Sequence, residues 1–345
     1  MGAGSAPAAA PPGRALRMKL IIQIPCYNEE ATLPATLRDL PRRIDGIDAI
    51  EVLVINDGSK DRTVEVARAH GVAHIVDFSR NQGLAAAFRA GLEAALAHGA
   101  DIIVNTDADN QYRGDCIERL VRPILANEAE MVIGDRGIWQ HQEFGFVKKC
   151  LQALGSWVVS RFAGCRVADV TSGFRAYSRE AALRINVLSR YTYTHETVIQ
   201  CGQAGMRIVS VPIEVNPKTR ESRLFRSMWA YIRRSATTIL RIYTLYRPLR
   251  AFFFAGLIPF ALAFLIGLRF LIYYLQGQGG GHIQSLILCG VLFNLSFMLF
   301  VLGIVADLIG ANRKLLEEII VSMRRDQLRL GTSNPDLAQI QHHSS

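Results

Sequence analysis

Short apolar runs rich in β-branched residues alternate with helical segments between residues 18 and 215. The strand-like runs are "KLIIQI", "IEVLVIN", "HIVDF", "DIIVNTD" and "EMVIG", and segments such as "EEATLPATLRDL" and "LAAAFRAGLEAALAHG" have helical periodicity. Repeated strand-helix units predict a mainly parallel sheet that is covered by helices on both faces. We therefore predict one α/β domain over residues 18–215.

Two long apolar runs follow this domain, over residues 251–275 and 283–306. At about 1.5 Å per residue, each is long enough to cross a hydrocarbon core of roughly 30 Å as a helix. The first run contains one charged residue, Arg269, which we interpret as snorkelling to the interface. The second contains Asn294 near its middle, which we interpret as a helix-to-helix hydrogen bond. We predict two transmembrane helices.

Charged residues predict how these spans are oriented. The connector "QGQGGGH" holds no Lys or Arg, whereas Arg247, Arg250, Arg313 and Lys314 flank the outer ends. Because positive charge favours the cytosolic side, we predict a hairpin over residues 251–312, with the α/β domain and both termini in the cytosol. The Ala-, Pro- and Gly-rich residues 1–17 predict a disordered tail, and residues 313–345 a cytosolic tail.

The net charge of +9 is concentrated beside the membrane. Residues 218–250 contain nine Lys or Arg and one acid, Glu221. At about 100° per residue, arginines and apolar side chains fall on opposite faces. We therefore predict that residues 216–250 form an amphipathic interfacial helix, which binds phosphate headgroups rather than nucleic acid. The six cysteines show no C-x-x-C pair, which argues against a zinc site or a disulfide framework.

Polar clusters follow each of the first four predicted strands: "PCYNEE", "NDGSKDRT", "SRNQG" and "DADNQY". Ligands of such sheets bind at the carboxyl ends of the strands, so we expect these loops to line one crevice. The sequence has no G-x-G-x-x-G after the first strand and no Walker A motif. Neither a dinucleotide cofactor nor a P-loop nucleotide is indicated.

The fourth cluster predicts a metal site. Asp107, Asp109 and Gln111 alternate along the chain at a strand end, which directs their side chains to the same side. Oxygen ligands in an open loop suit Mg²⁺ or Mn²⁺, and such an ion can bind a diphosphate.

Together these motifs resemble the GT-A glycosyltransferases of family 2, in particular the branch of dolichyl-phosphate mannose synthases and undecaprenyl-phosphate sugar transferases. The resemblance covers about residues 18–225 and implies a Rossmann-like domain that binds a nucleotide diphosphosugar. Asn56 and Ala85 depart from the usual Asp and Gly of the family motifs. The residues that the resemblance implies for donor binding are Pro25, Tyr27, Asn28, Glu29, Asp57, Asn81, Gly83 and Asp107.

The resemblance also implies an acceptor site and catalytic groups. "GDR" and "ESRL" match motifs whose basic residues hold the acceptor phosphate, which gives that role to Arg136 and Arg223. Asp107 and Asp109 would neutralise the leaving diphosphate, and Glu196 would orient the sugar or accept a proton. His195 beside it is interpreted as structural. "TSGFRAY", with Ser172, Gly173 and Arg175, is expected to shape the sugar or acceptor pocket.

The motifs and the resemblance together predict a metal-dependent transferase that moves a sugar from a nucleotide diphosphosugar to a polyprenyl phosphate, and the resemblance implies inversion at the anomeric carbon. A UDP-linked hexose, a UDP-linked N-acetylhexosamine and GDP-mannose all fit, and a homo-oligomer is compatible with the sequence. Two alternatives stay open. One is a transferase with another acceptor, of the polysaccharide synthase type, although no Q-x-x-R-W motif is present. The other is a non-catalytic membrane scaffold that binds nucleotide sugars.

Overall fold

A computed structural model describes residues 17–137, 155–161, 163–165, 167–187, 193–216, 246–277 and 283–333, with residues 233, 237, 241, 243 and 244. The strands are β1 Lys19–Cys26, β2 Ala49–Asn56, β3 His74–Asp77, β4 Ile102–Asn105, β5 Met131–Asp135, β6 Arg175–Ser178 and β7 Ile208–Pro212. The main helices are α1 Leu33–Asp39, α2 Thr63–Ala69, α3 Leu84–Ala97, α4 Cys116–Leu125, α5 Arg179–Arg184, α6 Thr194–Gln203, α7 Pro248–Leu275 and α8 Ile283–Ser333.

The strands form one sheet of seven, in the order β3-β2-β1-β4-β6-β5-β7. Strands β1 to β4 are parallel to one another, and β6 runs antiparallel to both of its neighbours. The prediction of a mainly parallel sheet is confirmed. In the ladder Cys26 lies opposite Asn56, and Asn56 lies opposite Asp77. The loops after the first three strands therefore start side by side.

Both faces of the sheet are buried. Ile21 and Ile103 belong to one apolar cluster, which includes Phe88 of α3, whereas Leu20 and Val104 belong to the other, which faces α4. Alternate residues of a strand point to opposite faces, so a strand buried on both sides reads as a continuous apolar run. This explains the uninterrupted "KLIIQI" and "DIIV".

Gly58 permits the loop after β2 to touch the loop after β3. Its φ is +67°, and a Cβ atom at this position would lie 2.4 Å from the carbonyl carbon of Arg80 and 2.5 Å from the amide nitrogen of Asn81. Both neighbours are backbone atoms, which cannot move aside as a flexible side chain can. A side chain at position 58 would therefore force the two loops apart.

We expect Gly58→Ala to lower the free energy of unfolding by about 1–3 kcal/mol, the usual cost of a strained backbone position, or by more because of the clash. Gly71→Ala is the matched control, because Gly71 has a φ of +72° but no atom within 4 Å of its Cβ position. Denaturant unfolding in detergent compares the two variants. Equal losses of stability would show that the loop-to-loop contact contributes nothing.

Helices α7 and α8 form an antiparallel hairpin, and both are long and apolar enough to cross a membrane. Small residues line their contact: a Cβ at Gly256 would lie 2.7 Å from the ring of Phe300, and the hydroxyl of Ser296 donates to the Gly256 carbonyl at 2.9 Å. Within the hairpin, Ser296 rather than Asn294 makes the helix-to-helix bond, because the Asn294 side chain is exposed.

Helix α8 extends well beyond the predicted span and returns to the α/β domain. The guanidinium of Arg324 donates to the carbonyls of Leu183 and Ile185 at 3.1 and 3.0 Å, and it lies 3.3 Å from the carboxylate of Glu93. One continuous helix thus carries the second apolar run and a polar contact with the domain. Most of the predicted interfacial helix, including residues 217–232, lies outside the described residues.

Candidate active site

Backbone and side-chain hydrogen bonds join the loops after β1 and β2. The backbone N–H of Asn28 donates to the hydroxyl of Ser59 at 2.9 Å, and the N–H of Lys60 donates to Oδ1 of Asn28 at 2.8 Å. The N–H of Glu29 donates to the hydroxyl of Thr63, also at 2.9 Å. Asn28 has a φ of 54°, a conformation that Asn tolerates better than most residues. The predicted nucleotide loop is therefore held in shape by its neighbour.

Asp57 fixes the loop after β3. Its carboxylate accepts from the backbone N–H groups of Gln82 and Gly83, at 2.6 and 3.0 Å. Burial raises the pKa of Asp57, although both hydrogen bonds act in the opposite direction. Beside this contact, the predicted donor residues Tyr27 and Asn81 are exposed. Pro25 lies in β1 opposite Ile55, and Glu29 is buried and accepts from the hydroxyl of Thr32 at 2.6 Å.

The loop after β4 carries the predicted metal ligands. Oδ1 of Asp109 accepts from the N–H of Gln111 at 3.2 Å. Asn216 anchors the loop from the segment after β7, since its N–H donates to the Gln111 carbonyl and its amide donates to the Asn110 carbonyl, both at 2.9 Å. The side-chain oxygen of Asn110 is buried and accepts no hydrogen bond from the part of the chain that the structure describes.

Gly173 leaves space in front of Asp107. A Cβ atom on Gly173 would lie 3.4 and 3.5 Å from the two carboxylate oxygens and 3.0 Å from the hydroxyl of Tyr193. The amide of Asn105 donates to the carbonyl of Gly173 at 2.8 Å and to the Tyr193 hydroxyl at 2.9 Å. The glycine of "TSGFRAY" therefore borders the predicted diphosphate site.

Tyr112 lies between charges that come from different loops. Burial raises its pKa to about 12, the charge of Arg136 opposes this shift, and the charges of Asp107 and Asp169 add to it. Its hydroxyl accepts from the N–H of Gly173 at 3.3 Å. The structure thus brings the predicted metal ligand Asp107 and the predicted acceptor residue Arg136 to the surroundings of one phenol.

Arg136 forms a fork-like ion pair with Asp169. Its Nε and Nη2 atoms donate to the two carboxylate oxygens at 2.6 and 3.1 Å, and Nη2 also donates to the hydroxyl of Thr171 at 2.8 Å. The Asp169 side chain is fully buried, and 13% of the Arg136 side chain is exposed. Burial raises the pKa of Asp169, but Arg136 outweighs it and leaves this pKa below the usual value.

Asp169 was not among the residues predicted from the sequence. The signal that could have found it is an acid three residues before the "SGFR" segment that was expected to shape the pocket. Tyr112 was missed as well, although it directly follows Gln111. The second predicted acceptor residue, Arg223, lies outside the described residues.

Arg175 is buried instead of lining a pocket. Its guanidinium donates to the carbonyls of Ser172, Val170 and Thr194 at 2.7, 2.5 and 2.8 Å, and to the hydroxyl of Thr197 at 2.8 Å. Buried charge is tolerated only where hydrogen bonds replace the lost water. Arg175 therefore braces the loop before β6 against the start of α6.

Glu196 lies in the first turn of α6 and is buried. Burial raises the pKa of Tyr246, Arg313 opposes that shift, and the charge of Glu196 adds to it. The guanidinium of Arg313, in α8, donates to the Tyr246 hydroxyl at 3.3 Å. Glu196 thus lies where the domain meets the segment before α7, and its catalytic role stays a prediction.

Burial lowers the pKa of His195 to about 4; the charge of Arg175 acts in the same direction, and that of Asp169 opposes it. The imidazole is therefore neutral at pH 7, with Nδ1 3.2 Å from the hydroxyl of Thr194. A neutral imidazole does not act as a general acid at this pH. The structural interpretation of His195 agrees with this.

We expect the melting temperature to fall between pH 7.5 and pH 5, and His195→Asn to reduce this fall. The folded-state pKa lies below the usual value of 6.5, so the unfolded chain binds the proton more readily. The contribution of neutral His195 to the free energy of unfolding is therefore fully present above about pH 6.5 and is lost as the pH falls towards 4. Melting curves of both proteins across this range test the expectation. Parallel pH profiles would contradict it.

The residues after β4 fit a divalent cation. No group of three or more His, Cys, Asp or Glu side chains suited to a metal occurs among the described residues. A cation held by Asp107, Asp109 and Gln111 would thus receive only two carboxylates. Mg²⁺ is commonly bound by one or two carboxylates together with substrate phosphates and water. The buried, unpaired oxygen of Asn110 adds a further polar atom to this loop.

Comparisons with known proteins identify the same family that the sequence motifs resemble. Residues 21–185 match the family model described as "Glycosyl transferase family 2". The chain is 31% identical over 204 residues to an uncharacterized protein of Methanocaldococcus jannaschii, covering 57% of this chain and 81% of that protein. It is 29% identical over 206 residues to an undecaprenyl-phosphate mannosyltransferase of Micrococcus luteus, covering 57% of this chain and 83% of that enzyme.

Solved structures share the fold. Glucosyl-3-phosphoglycerate synthase from Mycobacterium tuberculosis, in complex with Mn²⁺, UDP-glucose and phosphoglyceric acid, superimposes with a TM-score of 0.51 at 22% identity. The match covers 67% of this chain and 80% of that one. At this identity the likeness concerns the fold alone.

Proposed function

This chain belongs to glycosyltransferase family 2 and is a glycosyltransferase, and we propose that it transfers a sugar from a nucleotide diphosphosugar to a polyprenyl phosphate in a membrane. The proposal includes a divalent cation and inversion at the anomeric carbon. One observation carries it: the segment before β6 borders both expected phosphate sites, since Asp169 pairs with Arg136 at 2.6 Å and a Cβ atom on Gly173 would lie 3.4 Å from the carboxylate of Asp107.

The donor half rests on the loops after β1 to β4. Asp57 and Asn28 keep these loops together, which leaves the exposed Tyr27 and Asn81 to contact the nucleotide. The fold neighbour from Mycobacterium tuberculosis was solved with UDP-glucose and Mn²⁺, and this supports a nucleotide sugar and a divalent cation here. UDP-linked and GDP-linked sugars both remain compatible with the site.

Asp107, Asp109 and Gln111 would hold Mg²⁺ or Mn²⁺. When bound, such an ion neutralises the charge that develops on the leaving diphosphate. Gly173 keeps the space in front of Asp107 open, and Asn216 holds the loop from behind. These residues fix the carboxylates before the donor arrives, which avoids reorganisation during the reaction.

The acceptor half rests on Arg136, with Arg223 as the proposed second cation. Asp169 accepts hydrogen bonds from Nε and Nη2 of Arg136. The third nitrogen of the guanidinium, Nη1, takes part in neither bond, and we assign it to the acceptor phosphate. Arg is suited to this role because its planar fork fixes direction as well as charge. A lipid phosphate is already anionic at pH 7, so its oxygen attacks without a strong base. Glu196 can still orient the donor sugar or accept a proton.

The proposed membrane location rests on α7 and α8, which are long and apolar enough to cross a bilayer. The relative from Micrococcus luteus is named for a lipid phosphate acceptor, which supports the same class of acceptor here. We propose a hairpin with both termini on the cytosolic side. Arg313 and Tyr246 would then lie at the interface, beside the buried Glu196.

The test is transfer of radiolabelled sugar from a panel of UDP- and GDP-sugars to undecaprenyl or dolichyl phosphate, in detergent with Mg²⁺ or Mn²⁺. We expect a labelled, chloroform-soluble product whose sugar has the anomeric configuration opposite to that of the donor. Sugar-dependent release of nucleotide diphosphate without a lipid product would indicate another acceptor. No turnover by the folded protein with any donor would support the scaffold alternative.

A further inference from the structure

The α7–α8 hairpin presents a polar side chain where a membrane would lie. Asn294 is the twelfth of the 24 residues in the apolar run 283–306, and its side chain is exposed. The other polar side chains near the centre of this run, Cys289 and Ser296, are buried against α7, where each donates to a backbone carbonyl. A carboxamide that faces hydrocarbon has no partner for its hydrogen bonds, which is costly.

Gly290 lies one turn before Asn294 on the same face. A Cβ atom at Gly290 would meet nothing within 4 Å, whereas Cβ atoms at Gly256, Gly267 and Gly303 would lie 2.7 to 3.1 Å from side chains of the opposite helix. The latter three glycines permit contact inside the hairpin. Gly290 serves no such contact among the described residues, although it offers the same close approach.

These residues belong to one continuous strip of α8, which we call the outer face. At about 100° per residue, it lies on the side opposite Cys289, Ser296 and Gly303, the residues that face α7. Its apolar members are 42 to 63% exposed. The outer face comprises Ile287, Gly290, Val291, Asn294, Met298 and Val301.

We propose that the outer face binds the outer face of a second copy of this chain, with the two Asn294 side chains hydrogen-bonded to each other. A carboxamide is both donor and acceptor, so two copies related by a twofold axis along the membrane normal satisfy each other. Copies in one bilayer share their orientation, which makes the two α8 helices parallel. Gly290, one turn away, lets the backbones approach, since small residues are enriched where transmembrane helices pack.

Lipid chains do not fulfil this role, because they offer no hydrogen-bonding group. A different membrane protein would need its own polar residue at the same depth, whereas a second copy always has one. This inference rests on the part of the proposed function that places α7 and α8 across a membrane.

Full-length protein, labelled with donor or acceptor fluorophores, is reconstituted into phosphatidylcholine liposomes and diluted with lipid. The energy transfer at each dilution gives a dissociation constant in the bilayer. We expect association of the native chain, and Asn294→Leu to raise the dissociation constant about 3- to 30-fold, the range for a polar contact between transmembrane helices. Gly290→Leu should weaken association as well.

The matched control is the double variant Asn294→Leu/Leu295→Asn. It has the composition of the native chain but moves the carboxamide by about 100° around the helix. Leu295 is 47% exposed, so the moved amide still faces outwards. We expect this variant to associate as weakly as Asn294→Leu. Restored association would show that any amide suffices, which contradicts the proposed face.

Extraction of the liposomes with alkaline carbonate distinguishes a failure of membrane insertion from a failure of pairing through the outer face. Protein released by carbonate would overturn the proposed membrane insertion. Protein that stays in the bilayer but shows no energy transfer, or associates equally well with Leu at position 294, would overturn the pairing alone. In that second case the outer face belongs to a different partner.

Discussion

Replacement of Asp109 by asparagine is expected to lower kcat/KM for sugar transfer by about three orders of magnitude or more. The reason is electrostatic, because a lost group that stabilises developing charge costs roughly 10²- to 10³-fold, and a lost metal ligand also weakens the cation. Asparagine has nearly the same shape, and its oxygen can still accept from the N–H of Gln111. The loop should therefore keep its fold while it loses its charge.

The control for this variant is Asp115→Asn. Asp115 is exposed at the start of α4, close to the same loop, and pairs with Arg113 on the surface. It should keep native activity. Electron paramagnetic resonance of Mn²⁺, in the presence of nucleotide diphosphate, measures cation binding without turnover. Normal Mn²⁺ affinity and turnover in Asp109→Asn would exclude this carboxylate from the metal site.

Replacement of Asp169 by alanine is expected to reduce the free energy of unfolding by about 3–5 kcal/mol, the usual cost of breaking a buried ion pair from one side. The carboxylate is fully buried, and it accepts from Arg136, Thr171 and the N–H of Ser172. Its removal leaves the Arg136 guanidinium with an unpaired charge. Denaturant unfolding at pH 7 measures the loss.

Two comparisons make this expectation specific. Glu118→Ala breaks a pair with Arg122 that lies 2.6 Å apart on the surface, and it should cost about 0.5 kcal/mol or less. The pKa of Asp169 is lowered in the folded protein, so its contribution is present above the usual value of 3.8 and is lost as the pH falls through the folded-state pKa. The difference between native and Asp169→Ala protein should therefore shrink in strong acid. A difference that is constant with pH would contradict the ionic origin.

The sequence predicts the sheet well because burial on both faces produces a direct pattern. Ile21 and Leu20 pack on opposite faces, so the strand is apolar at every position. Helix ends were less predictable, since α8 continues to Ser333 whereas the apolar run ends at Ala306. Beyond that point docking on the domain, rather than contact with lipid, stabilises the helix. Hydropathy does not report such docking.

The candidate site was predicted where a residue type alone indicates chemistry. Aspartates are also common in turns and helix caps, so Asp107 and Asp109 were predicted as metal ligands because of their place at the end of the fourth strand, opposite the other polar loops. Arg136 was predicted without its partner, because Asp169 lies 33 positions away and only the fold brings the two together. Arg175 looked like a pocket residue, but its burial depends on carbonyls of the loop before β6 and of α6. Sequence patterns indicate which residues carry chemistry, whereas their hydrogen-bond partners require the tertiary structure.

Because α8 is one unbroken helix, its length fixes both the distance and the rotation between the apolar run and the α/β domain. From Ala306, at the end of the apolar run, to Arg324, docked on the carbonyls of Leu183 and Ile185, the helix rises about 27 Å at 1.5 Å per residue. One residue inserted between Ala306 and Arg324 would rotate Arg324 by about 100° around the helix axis, away from the two carbonyls. Seven inserted residues would restore its direction but would increase the distance between the apolar run and the domain by roughly 10 Å. Under the proposed function, the number of residues between these two points sets the height of the crevice above the bilayer, and with it the distance between the lipid phosphate and Arg136.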